Sequence, residues 1–219
     1  MEGRLRTHVA RGMPLGTVLD VGAHFGEFAA LVRRVAPAAT CLSFEADPDC
    51  EPHLRSAGVR HRLCCLGRQA GQAAFYKSGT STGNSLYREN TRHFDACDEV
   101  TLDVCTLDHA LAGEADFAGA IDLLKLDVQG AELDVLVGAP DTLRRTQAVL
   151  AECAITEYNL GAPRMLDVMQ FLDGCGFEVA DICELHYDGA TLVQVDVLFR
   201  RTQPGTGVNT PAFTRPATA

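Results

Sequence analysis

Short apolar runs alternate with amphipathic stretches along most of the chain, and the two periods sort its elements. Residues 17–21 (TVLDV) and 41–45 (CLSFE) read as buried strands. A helical pattern over 25–35 follows the first. A helix opening at Asp47-Pro48 follows the second, where proline suits the first turn. A third strand is expected over 59–66. The rhythm then breaks. Residues 67–106 hold two strand candidates, 73–76 and 100–105, separated by a polar run rich in Ser, Thr, Gly and Asn. Such a run inside a compact domain reads as a functional lid, here 77–97, with a merely solvated loop as the alternative. The alternation resumes with a strand at 121–128, a helix at 131–137, a strand at 148–155 and a helix at 165–175. In the last of these, Leu166, Met169 and Leu172 recur at helical spacing. Strands at 177–185 and 191–199 close the series. HYDGA joins them and is too short for a crossover helix, so they should run antiparallel.

Repeated strand–helix units predict an α/β fold: a mostly parallel sheet with helices on both faces and an antiparallel C-terminal hairpin. Its expected bounds are an N-terminal segment at 1–16, one domain over 17–202, and a tail at 203–219. The tail is rich in Pro, Gly and Thr and is expected to be disordered. A length of 219 residues suits one domain, and 47% hydrophobic with 22% charged residues suits a sizeable core. The formal charge of −10, from 29 acidic and 19 basic residues, argues against a nucleic-acid partner, which wants a clustered basic face. No run reaches the roughly 18–20 apolar residues of a membrane span. The first residues lack the apolar stretch of a signal peptide, so no membrane association and a cytoplasmic location are expected. Nine cysteines without a C-x-x-C pair read as reduced, mostly buried side chains, and they offer no zinc ligand set.

Candidate chemistry begins where the first strand hands over to the first helix, in DVGAHFG. Ligands of open α/β sheets bind beyond the carboxyl ends of the strands, and Asp20 stands at such an end. Gly22 and Gly26, without Cβ atoms, let the backbone turn and approach a ligand closely. The spacing D-x-G-x-x-x-G is neither the G-x-G-x-x-G of a nicotinamide dinucleotide cradle nor a P-loop. A carboxylate without a phosphate-binding lysine suits a cofactor bearing a cation and ribose hydroxyls. Glu45 ends the next strand, where a carboxylate accepts hydrogen bonds from a ribose. Together Asp20, Gly22, Gly26 and Glu45 suggest S-adenosylmethionine. Asp127 and Glu152 end two later strands, so four strand ends carry acids. Asp127 could also cap the helix after it. Lys125, on an apolar strand, needs water or a carboxylate at its head.

These residues resemble the FkbM family of S-adenosylmethionine-dependent methyltransferases. The likeness lies in DVGAHFGEFA (20–29), FEADP (44–48), TLDHAL (106–111) and above all IDLLKLDVQGAELDVLVGA (121–139) with Glu152. LGRQAGQAAFY and SGTSTGNSLY match further pieces, so that about 17–180 is covered. His24 stands where the family usually has Asn, Gln129 often where it has Glu, and Ala46 where FEP is common.

The resemblance implies a class I methyltransferase, Rossmann-like sheet and O-methylation of a hydroxyl on a small molecule, a secondary metabolite or a sugar. Asp20 and the loop of Gly22, Ala23, His24, Phe25 and Gly26 would hold the amino-acid part of the donor. Glu45 and Ala46 would hold the ribose, and the turn containing Leu66 and Gly67 the adenine. Asp127 would lie beside the methyl group, orienting the acceptor or drawing its proton, with Glu152 the second candidate base. Ser85, His93 and Gln129 are the candidate substrate contacts. His53, His93 and His109 are further candidate acid–base groups. No metal ligands are assigned, although a divalent cation on Asp127 and Glu152 would be another way to activate the hydroxyl. A homodimer is an open option. The competing function is a catalytically silent S-adenosylmethionine-binding or scaffold protein, which Gln129 and His24 keep in view.

Overall fold

The computed structural model describes residues 1–78, 83–91 and 96–202. The strands are β1 (Thr17–Val21), β2 (Thr40–Glu45), β3 (His61–Leu63), β4 (Cys65–Leu66), β5 (Gly71–Lys77), β6 (Asp98–Cys105), β7 (Ile121–Leu126), β8 (Thr146–Ala154), β9 (Phe177–Asp188) and β10 (Thr191–Arg201). The main sheet has the order β3-β2-β1-β7-β8-β10-β9. Its first five strands run parallel, and β10 pairs antiparallel with both β8 and β9, as the short HYDGA connection required. The order reverses between β1 and β7, which opens a crevice at their carboxyl ends.

The helices are α1 (Glu2–Ala10), α2 (Glu27–Val35), α3 (Glu51–Ser56), α4 (Leu107–Ala110), α5 (Glu132–Val137), α6 (Pro140–Arg144) and α7 (Met165–Gly174). α1 and α2 cover one face of the sheet, with Leu5, Phe28, Leu31 and Val32 on Val18, Leu123, Leu150 and Leu198. The other face is covered by α4 to α7, where Leu107, Leu133, Leu143 and Phe171 meet Leu19, Leu126, Val149 and Val197. Among the described residues no helix is long and apolar enough to cross a membrane.

One expectation changes, and two segments gain detail. The strand expected over 59–66 is broken at Cys64. Its first half stays beside β2, and Cys65–Leu66 joins a separate sheet of order β4-β6-β5. The run VRHRLCCLG has no Gly or Pro at the break, so nothing local marks it. The segment before residue 17 packs on the sheet, where α1 buries Leu5, and Arg4 and His8 both pair with Asp181 of β9. The described part of the expected lid, 83–91, is hydrogen-bonded to its surroundings. Ser85 bridges to Tyr76, Tyr87 Oη donates to Asp134, and Asn90 N donates to Tyr158 O. His93 and the tail at 203–219 lie outside the described residues.

The small sheet meets the end of α5 at Gly67 and Gly138. A Cβ on Gly138 would stand 2.2 Å from the Gly67 carbonyl oxygen. Gly113 has φ +88 but open space around it. Gly138→Ala is therefore expected to cost about 3 kcal/mol or more by overpacking, against about 1 kcal/mol of backbone strain for Gly113→Ala. Urea denaturation midpoints of the two variants test this ordering.

Candidate active site

One row of side chains anchors the site. Asp20 is in register with Ser43 on one side and Lys125 on the other, all on the α2-facing side of the sheet. Asp20 and Ser43 are fully buried. Lys125 Nζ lies 3.1 Å from Asp20 Oδ1 and 3.7 Å from Asp127 Oδ2, and donates to the Gly22 carbonyl at 2.7 Å. Ser43 Oγ donates to Asp20 Oδ2 at 3.0 Å. Burial opposes the ammonium, but the carboxylates of Asp20 and Asp127 outweigh it and raise the Lys125 pKa above its ordinary value, so the lysine stays charged. The expected need of Lys125 for a carboxylate is met by Asp20.

Above this row lies a cavity of about 480 Å³. Its floor is the loop after β1. Gly22, at φ +79, presses so close to β7 that a Cβ would sit 1.7 Å from the Asp127 carbonyl oxygen, so only glycine fits. Glu45, mostly buried, is preset by two backbone donors, His24 N at 2.7 Å to Oε2 and Asp47 N at 2.8 Å to Oε1. Burial nevertheless raises its pKa, against those hydrogen bonds. Beside Glu45 the wall is apolar, from Cys65, Leu66, Phe75 and Leu86.

The opposite end is acidic. Asp127 reaches the cavity because it does not cap α5. α5 has no side-chain cap, and Glu132, its first residue, turns back on the loop before it, accepting from Val128 N at 2.8 Å and Gly130 N at 3.0 Å. Burial pushes Glu132 up to about 7. The Gln129 amide nitrogen ties Asp127 Oδ1 (2.9 Å) to Glu152 Oε2 (2.6 Å), and Gln194 donates to the same Glu152 oxygen at 2.8 Å. Glu152 is raised well above an ordinary carboxylate by burial, with the nearby charges of Asp127, Glu132 and Asp196 adding to it. His24 (φ 48) and Gln129 (φ 52) are the non-glycine residues with left-handed backbone among those described. Both border the cavity, where such strain clusters in functional sites.

Of the expected cofactor contacts, Gly22, Ala23, His24, Glu45, Ala46, Leu66 and Asp127 line the cavity. Asp20, Phe25, Gly26 and Gly67 do not. Strand pairing turns Asp20 behind the wall onto Lys125, whose ammonium it meets at 3.1 Å. Phe25 stacks between His24 and His53. Gly26, at φ +92, starts α2 against Val59, and Gly67 backs onto Gly138. Glu152, Gln129 and Ser85 also line the cavity, but the Ser85 hydroxyl is engaged with the Val128 and Gln129 carbonyls. His53 and His109 do not line it, and His93 lies outside the described residues. Sequence reasoning missed Asn84, Glu184, His186 and Asp196. The last three belong to the hairpin, whose polar positions look like a solvated face.

A model of the methyltransferase FkbM domain matches residues 20–179. The chain belongs to the FkbM methyltransferase family. The 31-O-demethyl-FK506 methyltransferase FkbM of Streptomyces tacrolimicus is 28% identical over 215 residues, covering 83% of this chain and 80% of that protein. Methyltransferase 1 of Beauveria bassiana is 33% identical over 147 residues, 57% of this chain, and Methyltransferase sdnD of Sordaria araneosa is 30% identical over 156 residues. The matches span 58% and 60% of those two fungal proteins. The crystal structure of an FkbM methyltransferase from Methylobacillus flagellatus shares the fold, with a TM-score of 0.55 at 15% identity over 84% of this chain and 43% of that one. The matched region contains Lys125 and its partners Asp20 and Asp127.

Lys125→Met would leave Asp20 as an unpaired buried charge and free the Gly22 carbonyl, at an expected cost of about 3–5 kcal/mol. Adding Asp20→Asn to that variant should recover part of the loss. Chemical denaturation of the single and double variants measures both.

Proposed function

We propose that the cavity binds S-adenosylmethionine and that the protein methylates a hydroxyl oxygen of a small molecule. One arrangement carries this reading. A carboxylate preset by two backbone N–H groups stands at one end of the cavity, and a cluster of carboxylates stands at the other, with an apolar wall beside the first. Glu45 accepts the ribose hydroxyls, Leu66, Phe75 and Leu86 bear on the adenine, and the Gly22–His24 backbone faces the amino-acid part. The acidic end suits a cationic donor. When bound, that donor supplies an electrophilic methyl group on a sulfonium.

The protein's own part is alignment, exclusion of water and handling of one proton. Asp127 is the group in reach of the acceptor, because its side chain is 37% exposed whereas that of Glu152 is 8% exposed and holds two amide donors on one oxygen. An alcohol is a weak nucleophile near neutral pH, so a carboxylate that orients the hydroxyl and receives its proton is required. Gln129 holds the Asp127 carboxylate in place and is a positioning residue. The relative from Streptomyces tacrolimicus, whose name states an O-demethyl substrate, supports oxygen as the acceptor atom.

Isothermal calorimetry with S-adenosylmethionine tests the donor site. Glu45→Ala should weaken binding about a hundredfold, equivalent to about 2.7 kcal/mol for charge-assisted hydrogen bonds, with Glu45→Gln intermediate. Unchanged affinity in a folded variant would overturn the ribose assignment. Asp127→Asn should spare donor binding and lower turnover on hydroxylated acceptors about a hundredfold or more. Labelled-methyl transfer reads that loss, and full activity would remove Asp127 from the chemistry.

A further inference from the structure

The hairpin brings a second set of groups to the acidic end. Asp196 of β10 is in register with Glu152 of β8 on one side and with Glu184 of β9 on the other. Three carboxylates therefore stand in one cross-strand row, on neighbouring strands and the same face. Like charges directly opposite one another destabilise a sheet. Glu184 pairs with the Met1 amino group at 3.1 Å, but among the described residues no arginine or lysine forms an ion pair with Glu152 or Asp196, and the side chain with a ring nitrogen within 4 Å of either is His186. His186 Nε2 is 2.8 Å from Asp196 Oδ2 and 3.8 Å from Glu152 Oε1. Glu152 Oε2 is fixed by the amides of Gln129 and Gln194, which leaves Oε1 turned to the imidazole.

We propose that Glu152, His186 and Asp196 form a divalent-cation site at the acceptor end of the cavity. The three ligand atoms already lie within 4.8 Å of one another. Ligand atoms 2.0–2.2 Å from a tetrahedral cation stand about 3.4 Å apart, so His186 and Asp196, at 2.8 Å, need to part slightly while the wider pairs close by up to about 1.4 Å. One imidazole with two carboxylates suits a first-row transition cation such as Mn²⁺ or Zn²⁺ over Mg²⁺, which prefers an all-oxygen shell. Gln129 and Gln194 are the outer hydrogen bonds that orient such a ligand. The cation balances the acid row and keeps positions open toward the cavity, where an acceptor hydroxyl can coordinate and become more acidic. That last role rests on the methyl-transfer reading; the cation site itself does not. Asp127, held by Lys125 and Gln129, stays outside the ligand set and free for the proton. A cation on Asp127 and Glu152 alone would have two carboxylates and no imidazole, the thinner set weighed from the sequence.

Mn²⁺ titration followed by electron paramagnetic resonance, without methyl donor, tests the site. The wild-type chain should bind one Mn²⁺, lost from the free-ion signal, and Zn²⁺ should displace it. His186→Gln and Asp196→Asn, each checked for folding by circular dichroism, should bind at least tenfold more weakly. Glu45→Ala should keep the Mn²⁺ affinity within twofold while losing the methyl donor, so that the two sites fail separately. No Mn²⁺ binding by the wild-type chain, or unchanged binding in both folded ligand variants, would overturn the proposal.

Discussion

The ammonium of Lys125 is the fixed point of this molecule. It sits inside the sheet, where an unpaired charge would be intolerable, and is satisfied by the Asp20 carboxylate and the Gly22 carbonyl. Those two contacts lock β1 and the loop after it to β7. The same lysine faces Asp127, so one buried cation joins the glycine loop to the carboxylate that opens on the cavity. The floor of the site and its acidic end are thereby set relative to each other before any ligand arrives.

The remaining parts of the site follow from where strands end. β1, β2 and β7 bring a loop, a preset glutamate and an aspartate to one rim, as expected of a parallel sheet read at its carboxyl edge. The hairpin completes the rim from the other direction. Because β10 runs opposite to β8, its beginning lies beside the end of β8, and Asp196 meets Glu152 there. The small sheet β4-β6-β5 adds the apolar wall through Cys65, Leu66 and Phe75.

The parallel sheet and its helices were legible in the sequence because their periods differ, 2 against 3.6, and the turn residues fall between them. The site was legible where a strand end and a loop are adjacent in sequence, as at Gly22 to His24, Glu45 and Asp127. It was not legible where pairing decides. The buried ion pair of Asp20 with Lys125 comes from the register of β1 with β7, which lie about a hundred residues apart in the chain. The break at Cys64 depends on partners some forty residues downstream, Val104 and Cys105, with no local mark. His186 and Asp196 are ten residues apart on antiparallel strands, and it is the bulge between Leu192 and Gln194, setting His186 opposite Gln194, that brings them to one face.

Further bulges have a bearing on the rim of the sheet. β9 ends the sheet order, and its pairing with β10 slips between Ile182 and Glu184 and again between Val179 and Asp181. Val179, Ile182, Leu185 and Tyr187 are half exposed along it. An outer strand with such side chains would ordinarily invite another chain to add a further strand. The uneven rungs work against that, because a newcomer needs a straight ladder of amides and carbonyls.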